Sequence, residues 1–335
     1  MAKLAVAGHS LIHPRQQNFF LEVARALGDE VTLLSPMQWG GQKLASYHKT
    51  AGTGTMSVWA RPIWETPHGT HTSVLDGFRL ANFTEDIQNL HLGNEDWLYV
   101  QQEPESALAR EVAFMPVKCK KALFTWENIL EKATDALVIG AYDMVMCGND
   151  AAAQRMAPYA KSTAILPQVG VDTDHFAARP LPREIQVAYV GRMAGEKGVK
   201  QLLDAWPNTR FLQWVEYSEL PWYYSQAQVM VSFSQDTAQW REQAMPYVSC
   251  EAMACGGVAV VSDAGSIPYW HGGGFAPISP AVIVPQGSVE TLREALVALT
   301  RKTGVRERLA REGREWVETY LSSRVIARKL VEVLL

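Results

Sequence analysis

Arg192 and Lys197 lie five residues apart in the run Gly191-Arg192-Met193-Ala194-Gly195-Glu196-Lys197-Gly198. Two cations beside three glycines can neutralise a diphosphate, bound or departing. A solvated loop with surface charges is the plainer alternative. The run is not a P-loop, because the GxxxxGK[ST] spacing fails at every register. A second stretch, Trp240 to Gly265, places Glu242, Gln243 and Glu251 around Pro246 and then Gly256-Gly257. Pro246 reads as a first helical residue, where its missing N–H costs nothing. Glu251 then points from the helix about a turn later, so a helix start and a carboxylate could hold a phosphate and a sugar ring. Glu103 and Glu127 follow the apolar runs Trp97–Val100 and Lys121–Phe124. Polar clusters after successive strands mark the ligand face of an open α/β sheet; capping of the next helices is the alternative. His68 and His71 are three apart with no third ligand nearby, so no metal site is expected.

The elements that must position these residues follow a βα rhythm. Leu4–Ala7 reads as a strand, Gly8-His9-Ser10 as its turn, Gln17–Leu27 as a helix and Val31–Leu34 as the next strand. No GxGxxG follows the first strand, so a dinucleotide fingerprint is absent. Residues 36–95 read as short strands and long loops, with a helix near Asp76–Phe83. Strands at 97–100, 121–124 and 144–146 alternate with a helix from Ser106 to Phe114 and one capped by Asn149. Residues 166–183, rich in Pro, Gly and Asp, read as a linker. A second βα series follows, with strands at Ile185–Val190, Phe211–Val215, Val229–Phe233, Val258–Val261 and Ala281–Val284. Its helices are expected at Val199–Trp206, Glu219–Ala227, 288–302, 305–312 and 315–335. The fold class is therefore α/β, with two Rossmann-like doubly wound domains facing across a cleft. They comprise 1–165 and 184–315, with part of 316–335 packing back on the first.

Composition narrows the function. The chain has 335 residues, 47% hydrophobic and 20% charged, with a net charge of −4. That suits a soluble globular protein and argues against a dedicated nucleic-acid binder. Four cysteines in a chain this long are no disulfide framework. The apolar run after Lys3 is too short for a signal-peptide core, and no run has the roughly 18 residues of a membrane helix. A cytoplasmic protein is expected. Trp39, Trp59 and Trp64 leave peripheral membrane contact open, although no basic amphipathic helix supports it.

The assembled motifs resemble the GT-B glycosyltransferases, specifically retaining enzymes of family 4. The matching pieces are Leu166–Asp172 with Phe176, Val190–Arg192 with Glu196–Gly198, Ser218–Tyr224, Glu251–Gly256 and Ser262–Pro268. In the first half the likeness rests on βα order and the Phe124–Asn128 segment. The resemblance implies a nucleotide-sugar donor, UDP- or GDP-linked, transferred to a hydroxyl acceptor with no cofactor and no metal. It implies that Arg192 and Lys197 bind the donor diphosphate and that Glu251, second acid of the family's E-x7-E motif, holds ribose. Gly8, Gly191, Met245, Tyr247 and Val248 would line the donor. Two positions depart from the pattern. The first acid falls on Gln243, with Glu242 one residue away and favoured by the Trp-x-Glu-Gln lead-in. The family's N-terminal histidine falls on Glu127, which makes Glu103 a rival. A sugar-nucleotide epimerase of the same fold and an inactive nucleotide-sugar-binding subunit are the alternatives.

Overall fold

The computed structural model describes residues 2–64, 79–129, 134–238 and 240–335. The His68/His71 pair lies outside them. The chain divides into two compact units, Met1–Val169 with Ile326–Leu335, and Gly170–Val325.

The first unit opens with β1 (Leu4–Ala7), a 3-10 turn His9–Ile12, α1 (Pro14–Leu27) and β2 (Glu30–Pro36). Pro14 occupies the first turn of α1, and Gly28, at φ 68°, ends it in the left-handed conformation. Two short antiparallel pairs follow the sheet edge, β3 (Gln38–Trp39) with β4 (Gln42–Lys43) and β5 (Tyr47–Ala51) with β6 (Gly54–Arg61). A further pair joins β7 (Ile63–Trp64) to β8 (Arg79–Leu80), and α2 is Phe83–Asn89. The helix expected near Asp76–Phe83 is therefore displaced: residues 79–80 are a strand, and the helix begins at Phe83, where Phe83 and Ile87 enter the core.

Next come β9 (Trp97–Gln101), α3 (Ala107–Phe114), β10 (Lys120–Thr125), α4 (Ala136–Gly140), β11 (Met144–Cys147), α5 (Asp150–Met156) and β12 (Thr163–Ile165). Ser106, Asp135 and Asn149 each cap the helix after them by accepting an amide hydrogen bond three residues on. The sheet runs β12-β11-β10-β9-β1-β2-β6-β5, parallel except at the β5–β6 edge. The five residues of β9 and four of β1 are all buried, as strands covered on both faces must be.

The second unit contains β13 (Ile185–Val190), a 3-10 turn Gly195–Lys197, α6 (Val199–Ala205), β14 (Arg210–Leu212), α7 (Leu220–Gln226) and β15 (Ala227–Ser232). It continues with α8 (Tyr247–Ala254), β16 (Val258–Ser262), α9 (Ile267–His271), β17 (Val282–Val284), α10 (Val289–Arg301) and α11 (Thr303–Tyr320). All five strands are parallel, in the order β14-β13-β15-β16-β17. The last helix, α12 (Ser323–Leu334), returns Ile326, Ala327, Leu330 and Leu334 to burial; Leu334 and Val331 meet Leu4, Leu27 and Trp97 of the first unit.

Three expected boundaries move. Pro246 sits one residue before α8 rather than inside it. The strand after α6 stops at Leu212, so Trp214 is a loop residue and is exposed. The break between the last two helices falls at Leu321–Ser322, not near residue 313. The helix α11 runs through Gly313, where a Cβ would lie 3.3 Å from Met253.

Gly198 is needed where it stands. Its φ is +66°, and a Cβ there would lie 2.0 Å from the Phe233 carbonyl oxygen. Gly198→Ala should therefore destabilise the protein by more than about 2 kcal/mol, whereas a surface change such as Gly195→Ala should stay within about 0.5. A Cβ at Gly195 meets nothing within 4 Å. Urea unfolding of the two variants checks this.

Candidate functional site

In an open parallel sheet, ligands gather where strand order reverses, beyond the carboxyl ends of the strands. Each unit has one such point. In the second it lies between β13 and β15, and in the first between β1 and β9.

At the second unit's switch point, the loop after β13 carries Gly191, Arg192 and Lys197. Gly191 donates its amide to the Leu212 carbonyl (3.1 Å), and the Tyr189 hydroxyl donates to the Arg192 carbonyl (2.6 Å). The Lys197 ammonium is 2.8 Å from one Glu242 oxygen and 4.6 Å from the centre of the Trp240 ring. The Ser234 hydroxyl, just past β15, donates to the same Glu242 oxygen at 2.6 Å. Arg192 is solvent-exposed and pairs with Glu196 (3.3 Å) rather than with Glu242. Of the two candidates for the first acid, Glu242 is the side chain set against the lysine.

These loops are joined through main-chain carbonyls, which accept from two amides and a serine hydroxyl. The Gln235 amide donates to the Glu196 carbonyl (2.8 Å), the Ser262 hydroxyl to the Ser234 carbonyl (2.6 Å), and the Ser266 amide to the Glu242 carbonyl (2.8 Å). Gly265 lies so close that a Cβ would be 2.2 Å from the Glu242 carbonyl oxygen.

Glu251 departs from the sequence reading. It does not point outward but is 1% exposed, and it accepts a hydrogen bond from the Tyr224 hydroxyl at 3.2 Å. The cause is the helix itself: Ser249 to Ala254 are all buried, so α8 has no open face over that stretch. Met245 is buried too, while Gln243, Tyr247 and Val248 are partly exposed around the helix start.

A buried network fixes that start. The Ser249 hydroxyl donates to the Pro246 carbonyl (2.7 Å), which leaves its oxygen to accept from His271 Nε2 (2.9 Å). Nδ1 of His271 then accepts from the Ser279 hydroxyl at 2.7 Å. The imidazole is neutral, and burial lowers its pKa to about 4. Nothing in the sequence pattern singled out this triad, with Ser249 in α8, His271 at the end of α9 and Ser279 in the loop after it.

At the first unit's switch point, Gly8 follows β1 so closely that a Cβ would come within 2.9 Å of the Gln101 carbonyl oxygen. Glu103 accepts from the Thr125 hydroxyl and from the Trp126 amide (3.2 Å). Burial raises its pKa to about 7 against those two bonds, with the Glu105 and Glu127 charges adding to the rise. Glu127 is buried and accepts from the Ile129 amide (3.1 Å). His9, beside Trp39 at 5.2 Å, meets the Gln102 amide nitrogen at 2.6 Å through Nδ1. Burial above all holds its pKa near 4. The structure thus brings Glu103 and Glu127 together, joined by His9, Gln101, Gln102 and Gln168. The polar Gln101-Gln102 pair ending an apolar strand was a signal for the first two of these glutamines.

Two Rossmann-like units, each with polar groups at its switch point, make up a chain whose fold matches solved GT-B glycosyltransferases. Residues 206–316 match the family model described as "Glycosyl transferases group 1". The match includes Glu242 and Glu251 but starts after the Arg192–Lys197 loop. No curated protein matches the sequence. Among solved structures, sucrose-phosphate synthase from Thermosynechococcus elongatus is similar at 15% identity and TM-score 0.73, covering 99% of this chain and 98% of that one. The α,α-trehalose-phosphate synthase (UDP-forming) of Burkholderia vietnamiensis shares 14% identity at TM-score 0.70, covering 100% and 97%. HepE of Anabaena in complex with UDP-glucose shares 12% at TM-score 0.67, covering 100% and 99%. These likenesses establish the fold.

The His271 network carries a pH signature. Its folded pKa, about 4, lies below the ordinary 6.5, so the unfolded chain binds more protons as pH falls below 6.5. Stability from this group is complete above 6.5 and is lost progressively down to about 4. From pH 7.5 to 5 the loss should be about 2 kcal/mol. His9 adds to the wild-type fall. In His271→Gln, less stable at pH 7.5, the fall in urea-derived stability should shrink by that amount; an unchanged fall would refute the assignment.

Proposed function

We propose that the protein is a retaining glycosyltransferase that moves a sugar from a nucleoside-diphosphate donor to a hydroxyl acceptor. The observation that carries this reading is Lys197, set at the switch point of the second unit by Glu242 and Ser234. The match of residues 206–316 to the glycosyl transferases group 1 model supports the reaction class. HepE, solved with UDP-glucose, makes UDP the first nucleotide to try.

In this reading the bond from the anomeric carbon to the diphosphate oxygen breaks, and a bond to the acceptor oxygen forms. The acceptor proton passes to the departing diphosphate. Charge develops on that diphosphate, where a fixed cation is most effective. Lys197 supplies it, and the exposed Arg192 is free to swing from Glu196 onto the second phosphate. The two cations and the backbone N–H groups of the loop make a metal unnecessary. Glu242 releases part of its hold on Lys197 to take hydroxyls of the donor sugar. Glu251, with one oxygen on Tyr224, reaches ribose only at the edge where α8 begins, beside Met245, Tyr247 and Val248. Gly191 gives the diphosphate close access to backbone, Gly8 stays a donor-lining residue, and Glu103 and Glu127 are candidates to take hydroxyls of the acceptor.

UDP-glucose at about 100 times its Kd should stabilise the protein by about 2.7 kcal/mol. Lys197→Ala should lower sugar transfer by about 10²- to 10³-fold. Wild-type transfer rates in both Lys197→Ala and Arg192→Ala would sink the mechanism. Conversion of the donor sugar without any acceptor would replace it with an epimerase.

A further inference from the structure

The Lys197 ammonium has two neighbours of different kinds. One Glu242 oxygen accepts from it at 2.8 Å, and the centre of the Trp240 ring lies 4.6 Å away. The carboxylate holds the ammonium and cancels its charge. An aromatic face attracts a cation through its quadrupole but carries no net charge, so it holds without cancelling. A cation that serves a diphosphate must be both fixed and uncancelled, which the ring alone provides.

The Glu242 contact can be given up. The oxygen that Lys197 meets also accepts from the Ser234 hydroxyl at 2.6 Å, so it keeps a donor when the ammonium turns to a phosphate. The lysine side chain leaves 22% of its surface open, which lets a ligand reach it. The ring, in contrast, is fastened. Trp240 donates its amide to Thr237 Oγ1 (3.0 Å), and its carbonyl accepts from the Thr237 amide (2.8 Å), which closes a turn. Just before that turn, the Asp236 amide donates to Gln286 Oε1 (2.7 Å). Asp236 Oδ2 accepts from the Gly265 amide (3.2 Å) and from Gln286 Nε2 (3.4 Å). These bonds tie the turn to the loops after β16 and β17, and none of them involves Lys197 or Glu242. Opening the ion pair therefore leaves the ring where it is.

We propose that Trp240 is a positioning residue for Lys197: its ring holds the ammonium at the switch point, so that the ammonium exchanges Glu242 for the diphosphate of a donor without leaving its place. The inference rests on the transferase reading for the diphosphate. The hold of the ring on the ammonium belongs to the ligand-free protein as well.

The test replaces Trp240 in the full chain with mono-, di- and tetrafluorotryptophan. Fluorine drains the negative face of the ring and nearly preserves its shape, so a ring that only fills space gives no graded response. Trace acetylation with acetic anhydride, read by peptide mass spectrometry, follows Lys197 in the ligand-free protein, with the exposed Lys200 as reference. Relative to Lys200, Lys197 should be acetylated faster at each step, by about threefold to tenfold with the tetrafluoro ring. Only protein with the ammonium in place binds UDP fully, so UDP affinity by calorimetry should fall in the same order, by about twofold to threefold. Acetylation of Lys197 that ignores fluorine overturns the proposal, as does UDP affinity that stays level or rises while acetylation climbs. Wild-type protein that binds no UDP, with acetylation that still follows fluorine, upholds the hold of the ring and removes the transferase reading instead.

Discussion

The second unit depends on backbone meeting backbone without side chains between. Gly198 against the Phe233 carbonyl and Gly265 against Glu242 let three loops from three strands close to hydrogen-bonding distance. Any Cβ at either point would pry the loops apart by more than an ångström. Lys197 and Glu242 are 45 residues apart in sequence, and their contact exists because the segments that carry them are fastened on both sides. A partly buried ion pair is a modest source of stability. Here the pair is a consequence of the stitching, and what it fixes is the position of a charge.

The two switch points are chemically opposite. One presents a cation held by a carboxylate that a serine hydroxyl also bonds, suited to phosphate. The other presents amide carbonyls, a neutral imidazole and a carboxyl group whose pKa near 7 leaves it able to donate or accept. Burial does most of this work, since it discharges His9 and raises Glu103 with little help from neighbours. A reaction joining a phosphate-bearing donor to a hydroxyl nucleophile needs such a division of labour.

Much of this was readable before any coordinates. Outside residues 36–95 and β12, alternation of short apolar runs with helical spacing placed the strands and most helices within about three residues, because parallel strands buried on both faces leave an unbroken apolar signature. Arg192, Lys197, Glu103 and Glu127 could be singled out because they follow apolar strands, at the ligand face of an open sheet. Glu251 misled, since an acid in a short helix looks outward unless its neighbours are known to be covered. That cover comes from α7, α11 and the sheet, all distant in sequence. Ser234 and the Ser249–His271–Ser279 network were invisible for a similar reason. Serines and a histidine acquire a role only through partners that tertiary structure supplies. The break at Leu321 was missed because α11 runs on through Gly313, beside Met253, past the boundary expected there.

The route of the chain has a consequence for its birth. The first unit is not finished by the first 169 residues; it also owns Ile326–Leu335, whose Val331, Leu334 and Leu335 line a small pocket with Leu4 and Trp97. A ribosome must therefore make the entire second unit before the first can close. Until then the nascent first sheet carries an uncovered apolar strip beside β1, an opening for chaperones or for wrong partners. The second unit, continuous from Gly170 to Val325, has no such wait. Ile326–Leu335, made after the second unit, thus belong to the unit that Met1–Val169 begins.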